Sequence, residues 1–200
     1  MRRWPHMFAL VIATITVLLA GCQSTPTSSP ATVGSLDLQR YTGRWVQIAA
    51  IPAWFQRHCV RNITADYSLA DDGMIDVVNA CATGDGEREV AKGVARAVGP
   101  VIAGVVESGK LEVTFVELFG DWWWIAGGDY WVLALDGDYR WSLVGDPDRS
   151  YAWLLAREPT LDEGTLRKVA ALLAERGYDP CALIVTAGPP EARQRPLCQV

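Results

Sequence analysis

A chain of 200 residues, 50% hydrophobic and 20% charged, is the size of one folded domain with a sizeable core and too small for two catalytic domains. Its formal net charge of −5, from 18 Lys+Arg against 23 Asp+Glu, offers no basic surface for phosphates, which argues against a nucleic-acid partner. With only His6 and His58 in the chain there is no basis for a His-based metal cluster, and neither a metal nor a cofactor is expected.

At the N-terminus Arg2 and Arg3 precede an apolar run at 8–20, the length of a signal-peptide core and too short to cross a bilayer as a helix. The run ends in Leu19-Ala20-Gly21-Cys22, which resembles the lipobox of bacterial lipoproteins. The resemblance implies cleavage of residues 1–21 and acylation of Cys22 as the first mature residue. Each buried CH₂ contributes about 0.8 kcal/mol to membrane partition, so several acyl chains anchor a protein without spanning. Gln23 rather than Asp follows Cys22, and the resemblance then implies the periplasmic face of an outer membrane. Residues 22–35, rich in Ser, Thr and Pro, read as a lipidated flexible tether.

From residue 41 onward, short strand-like runs alternate with turn residues, which predicts an antiparallel barrel or sandwich. The runs at 61–69 and 74–81 flank Ala70-Asp71-Asp72-Gly73 and form a hairpin. Between 87 and 98 the small residues Ala91, Gly93, Ala95 and Ala97 share one parity, which suits either a cavity wall or a close approach to a neighbouring element. Leu111, Val113 and Phe115 alternate with polar residues on the next strand. Runs at 130–136, 139–144 and 151–157 continue a meander. A helix is expected at about 162–176, with Thr160 and Glu163 as a capping box, Leu166, Val169 and Leu173 on its apolar face, and Gly177 at its end. A last short strand follows at 182–186, and an irregular tail at 188–200.

Tyr41-Thr42-Gly43-Arg44-Trp45, the run Tyr-Trp-Val-Leu-Ala-Leu-Asp ending at Asp136, and Ala152-Trp153-Leu154-Leu155-Ala156-Arg157 resemble, in order and spacing, the three signature blocks of the lipocalins. The likeness is to the bacterial outer-membrane lipocalins, a group related to apolipoprotein D. It implies an all-β fold over 36–187: an eight-stranded antiparallel up-and-down barrel with one C-terminal α-helix packed outside. Gly43, Trp45, Asp136 and Arg157 are expected to close one end, with the Arg157 guanidinium on the Trp45 indole.

The implied activity is binding, storage or transport of a small hydrophobic ligand, a fatty acid or lysophospholipid, without enzymatic chemistry. Loops at 52–60, 81–87, 118–129 and 145–150 would form the open end. They carry Trp54, Phe55, Phe119 and Trp122-Trp123-Trp124, although part of that Trp run also reads as strand. Gln47, Trp54, Phe55, Trp123 and Trp141 are the candidate ligand contacts. Beyond Cys22, four cysteines remain for an oxidising compartment. The hairpin brings Cys59 towards Cys81, leaving Cys181 with Cys198; the apolipoprotein D likeness would instead join Cys59 to Cys198 and Cys81 to Cys181. Two other readings are a non-carrier envelope protein that uses the aromatic mouth for a partner, and an enzyme built on Cys59 and His58.

Overall fold

A computed structural model of the chain describes residues 28–188 and 194–200. The expected signal peptide, Cys22 and the tether up to residue 27 lie outside the described residues.

Eight strands follow one another around a closed antiparallel barrel. They are β1 Gly43–Ala50, β2 Cys59–Leu69, β3 Ile75–Thr83, β4 Arg88–Ala97, β5 Lys110–Thr114, β6 Gly128–Leu135, β7 Trp141–Gly145 and β8 Ala152–Ala156. Each pairs with the next, and β8 returns to β1 with Ala156 opposite Val46 and Trp153 opposite Ala50, so the main sheet closes on itself. A short β9, Ile184–Val185, adds to β1 at Ala49 and Ala50, where β1 has left β2. Both disulfides, the barrel closure and both hydrophobic cores are made within the described residues.

Turn chemistry fixes the hairpins. Between β2 and β3, Asp72 Oδ1 accepts from Met74 N and Gly73 takes a φ of +83°. Between β6 and β7 the Asp136 carboxylate accepts from the backbone of Asp138 and Arg140 and from the Arg140 guanidinium.

Two cores share the barrel wall. Outside, the helix α2 Glu163–Glu175 lays Leu166, Val169 and Leu173 against Ile48, Trp131, Leu133, Trp141 and Leu143. Inside, at the closed end, Trp45, Tyr67, Val132, Val144 and Leu155 pack around Leu38 and Tyr41 of a one-turn helix, α1 Leu38–Tyr41. Alternation along β7 separates the two: Trp141 and Leu143 face the helix, whereas Ser142 and Val144 face inwards.

Three local expectations are corrected. Asp162, not Thr160, caps α2, accepting from Thr165 N and Thr165 Oγ1 at 2.9 and 2.7 Å. The described end of the tether, 28–35, is not a free spacer: Val33 N donates to Val132 O at 2.9 Å and Thr32 Oγ1 to Ser108 O. The tail is not wholly irregular either, because Leu197 is buried, Pro196 bridges to Ile184, and the Cys181–Cys198 disulfide ties that segment down.

Candidate functional site

The strand directions sort the loops. β1 ends, and β2 begins, at the same end as the loops 84–87, 115–127 and 146–151, whereas the N-terminal segment and the loops 70–74, 98–109 and 136–140 lie at the other. The second end is shut. Arg157 lies over the Trp45 indole at 3.7 Å from the ring centroid. Its guanidinium donates to the carbonyls of Arg44 at 2.9 Å, Arg40 at 2.8 Å and Tyr139 at 3.3 Å. Burial pulls the pKa of Arg157 down. Gly43, at φ +89°, leaves room for that guanidinium: a Cβ there would sit 3.3 Å from Arg157 Nη1. Asp136 holds the adjacent turn, and its ion pair with Arg140 keeps its carboxyl below the usual range.

Above this plug stands a chain of hydroxyls. Tyr67 meets Tyr130 at 3.1 Å, Tyr130 meets Tyr41 at 2.8 Å, and Tyr41 meets Ser142 Oγ at 2.9 Å. Burial raises all three phenols, Tyr41 to about 12 and Tyr67 and Tyr130 further. They stay neutral donors and acceptors at any physiological pH.

From this floor a cavity of about 700 Å³ rises to the open end, within the ~300–1,000 Å³ range of small-molecule sites. Its walls are mainly apolar: Ile63, Ala65, Val77, Ala95, Leu111 and Val113 among others. The small parity of β4 divides. Ala91 and Ala95 line the cavity, Ala97 joins the inner core, and Gly93 permits contact with Thr114 O and the Phe115 ring. The lining holds three carboxylates, Glu89, Asp129 and Asp146, and no Lys, Arg or His. In the wall, Asn79 Oδ1 is buried without a hydrogen-bond partner.

Of the expected ligand contacts, Gln47, Trp54 and Phe55 line the cavity. Gln47 donates to Thr186 Oγ1 and accepts from Gln56 Nε2, which holds its amide at the edge of β1. Two expectations are corrected. Trp141 points outwards under α2, with Lys168 Nζ 5.6 Å from its ring. Trp123 is half exposed beyond the barrel rim and absent from the lining, because its backbone pairs with Val116 and Thr114 and directs the ring away. Trp124 lies beneath the Arg96 guanidinium. Residues that sequence reasoning missed are Tyr41, Tyr67, Asn79, Tyr130, Tyr151 and Trp153. At the mouth Tyr151 and Trp153 stack at 5.9 Å, and Phe55 closes against both.

The cysteines pair as Cys59–Cys81, across β2 and β3 at the mouth, and Cys181–Cys198. The alternative pairing is overturned, and the Cys59 thiol is not free to act as a nucleophile. Among the described residues no group of three His, Cys, Asp or Glu side chains is arranged to hold a metal.

A closed eight-stranded barrel with a blocked floor, an apolar interior and one outer helix is the architecture of a lipocalin. Residues 36–188 match the lipocalin-like domain model, and the chain belongs to that family. It is 35% identical over 169 residues to the outer membrane lipoprotein Blc of Escherichia coli K12, covering 84% of this chain and 88% of that protein. It is 36% identical over 168 residues to temperature-induced lipocalin-1 of Arabidopsis thaliana (82% and 87% covered). Against mouse apolipoprotein D it is 31% identical over 162 residues, 76% of each chain. Insecticyanin from the tobacco hornworm shares the fold at a TM-score of 0.61 and 21% identity, covering 85% of this chain and 89% of that one. Lipocalins are binding proteins for small hydrophobic ligands, and the apolar cavity is the binding site this fold supplies.

Proposed function

We propose that this lipocalin is anchored through Cys22 at the periplasmic face of an outer membrane and stores or carries one lysophospholipid in its barrel. The cavity carries the reading: about 700 Å³, apolar, floored by neutral phenols and open at an aromatic mouth. The similarity to outer membrane lipoproteins named Blc supports the location.

Fatty acid and lysophospholipid both supply an acyl chain, and two features favour the second. An ionised carboxylate would enter a lining that holds no Lys, Arg or His and carries Glu89, Asp129 and Asp146 near the rim, where His58 lies 3.5 Å from Glu89 but outside the lining. A zwitterionic lysophospholipid with its chain down instead brings its own ammonium, which balances its phosphate and would lie among those carboxylates and the rings of Trp54, Phe55, Tyr151 and Trp153. Asn79 Oδ1 needs a donor. The glycerol hydroxyl of a lysophospholipid supplies one; an ionised fatty acid has only acceptors.

The test is native mass spectrometry of residues 23–200 from an oxidising compartment, followed by titration with lysophosphatidylethanolamine and with palmitate, read by Trp quenching. One lysophospholipid per chain at a Kd around micromolar, about tenfold tighter than palmitate, is expected. Equal affinities would remove the head-group argument. No apolar ligand at all would leave the envelope-interaction reading in its place.

A further inference from the structure

The large apolar side chains left in solvent are concentrated at one end of the barrel. Trp54 projects from the 51–58 loop, and the 115–127 loop alone presents Phe115, Leu118, Phe119, Trp123 and Ile125. Phe119 is fully exposed at the tip of a hairpin whose arms are Glu117–Leu118 and Asp121–Trp122. Phe119 and Gly120 both take positive φ, +56° and +92°, the geometry of a two-residue turn that favours Asn-Gly. A phenylalanine at that position gains no burial and sits in a backbone region disfavoured for its side chain. Neither folding nor solubility explains it, and such outliers collect where the protein meets something else.

The path of the N-terminal segment indicates what that is. Followed backwards, the chain leaves the closed end at Leu36, opposite Val106, and passes the middle of β6, where Val33 bonds to Val132. It reaches Ser28, whose carbonyl accepts from Arg149 Nη2 at 2.7 Å in the 146–151 loop at the open end. Cys22 is six residues further on, and six residues reach at most about 20 Å. An anchor at Cys22 therefore holds the open end, not the closed end, close to the bilayer.

We propose that the mouth of the barrel docks on the lipid bilayer, with Phe119 and Ile125 inserted among the head groups and the cavity facing the membrane. The proposal rests on the acylation of Cys22 put forward above. Trp is enriched at bilayer interfaces, Phe is among the side chains that interfacial segments bury at the head-group boundary, and tethering raises their effective concentration there. Ligand then passes between bilayer and cavity without crossing bulk water.

The acylated protein in vesicles of phosphatidylethanolamine and phosphatidylglycerol, containing phospholipid brominated near the glycerol end of its chains, provides the test. Trp emission of the wild type is quenched. The double variant Phe119→Asn, Ile125→Ser should lose at least half of that quenching, whereas Val101→Ser, Ile102→Ser at the closed end should keep it. Neither pair lines the cavity, and Asn suits the positive φ at 119, so the variant folds. Quenching unchanged by the tip substitutions, or lost equally with the closed-end pair, overturns the proposal. So does a concentration-dependent dimer in detergent that the tip substitutions dissolve while vesicle quenching persists, because the tip is then an interface between copies. The intact mass reports the anchor separately. If no acyl chains are found, the same quenching comparison on the unanchored protein at rising lipid decides docking alone. Docking without lysophospholipid binding in solution supports the proposal and removes the carrier reading.

Discussion

The guanidinium of Arg157, at the end of β8, stacks on the indole of Trp45 in β1 at 3.7 Å, joining the last barrel strand to the first. The contact combines a cation–π interaction with donation to the carbonyls of Arg40, Arg44 and Tyr139 where the sheet closes. Trp45 is fully buried and its Nε1 donates to Tyr41 O at 2.9 Å, so the same indole ties α1 to the floor.

Arg157→Lys keeps the charge and loses the planar fork. One ammonium cannot reach three diverging carbonyls and also cover the ring, so a loss of about 2 kcal/mol is expected, and more for Arg157→Ala. Urea unfolding followed by Trp fluorescence checks it. A lysine variant as stable as the wild type would show that the stacking charge alone closes the barrel.

The phenolic floor makes an alkaline prediction. Below pH ~10 the phenols are protonated in both the folded and unfolded chain, and they contribute no pH dependence. Above it the unfolded chain loses the Tyr41 proton while the folded chain retains it up to about 12, and Tyr67 and Tyr130 hold theirs longer still. Stability therefore falls with rising pH, by up to about 1.4 kcal/mol per pH unit for each phenol. Phenolate absorbance from these residues should appear with unfolding, not before it. Tyr130→Phe should strand the Tyr67 hydroxyl at a cost of about 1–3 kcal/mol. An early, reversible phenolate signal from the intact fold would contradict the buried hydroxyl chain.

Gly93 and Ala91 lie two residues apart on β4 and should respond oppositely to added bulk. A Cβ at Gly93 would collide with the Thr114 carbonyl and the Phe115 ring across the β4–β5 ladder. Gly93→Ala should therefore cost about 2 kcal/mol. Ala91→Val grows into open cavity and should leave stability nearly unchanged. Equilibrium unfolding of both variants distinguishes them; equal effects would mean that the strand neighbourhood, not the local approach, governs this wall.

How much of this was legible in the chain differs by region, for physical reasons. The succession of short strands and the outer helix follow from alternation and from the Leu166, Val169, Leu173 spacing, whereas closure into an eight-stranded barrel is what the lipocalin resemblance implies. Gly43, Trp45 and Arg157 stand within strongly patterned segments. The cavity wall does not read so directly. β7 is buried on both faces from Trp141 to Gly145, so its alternation carries no inward or outward signal. Register also shifts at Leu154/Leu155, at Val132/Ala134 and twice near the mouth end of β2, each shift reassigning the side chains beyond it. Ser142, the one polar residue of β7, faces inwards because the Tyr41 hydroxyl partners it, so the usual reading of a polar residue as outward-facing puts Trp141 on the wrong side. The helix cap moved by two residues because Thr160 and Asp162 are both capable caps and only the entry angle of the chain selects between them.

The lining itself supplies the last prediction, in which ligand affinity and stability move apart. Asn79 Oδ1 is buried in the wall without a partner. Replacing Asn79 by Leu removes an unsatisfied group and should leave the free protein as stable as before or more so. If a lysophospholipid hydroxyl bonds to that oxygen, the same substitution weakens lysophospholipid binding about tenfold, or ~1.4 kcal/mol, and leaves palmitate binding nearly unchanged. Ala91→Phe instead fills the space an acyl chain needs and should weaken both ligands. Parallel titrations of the two variants separate head-group recognition from chain burial. Loss of both ligands in the Asn79 variant would place that residue against the acyl chain and not the glycerol.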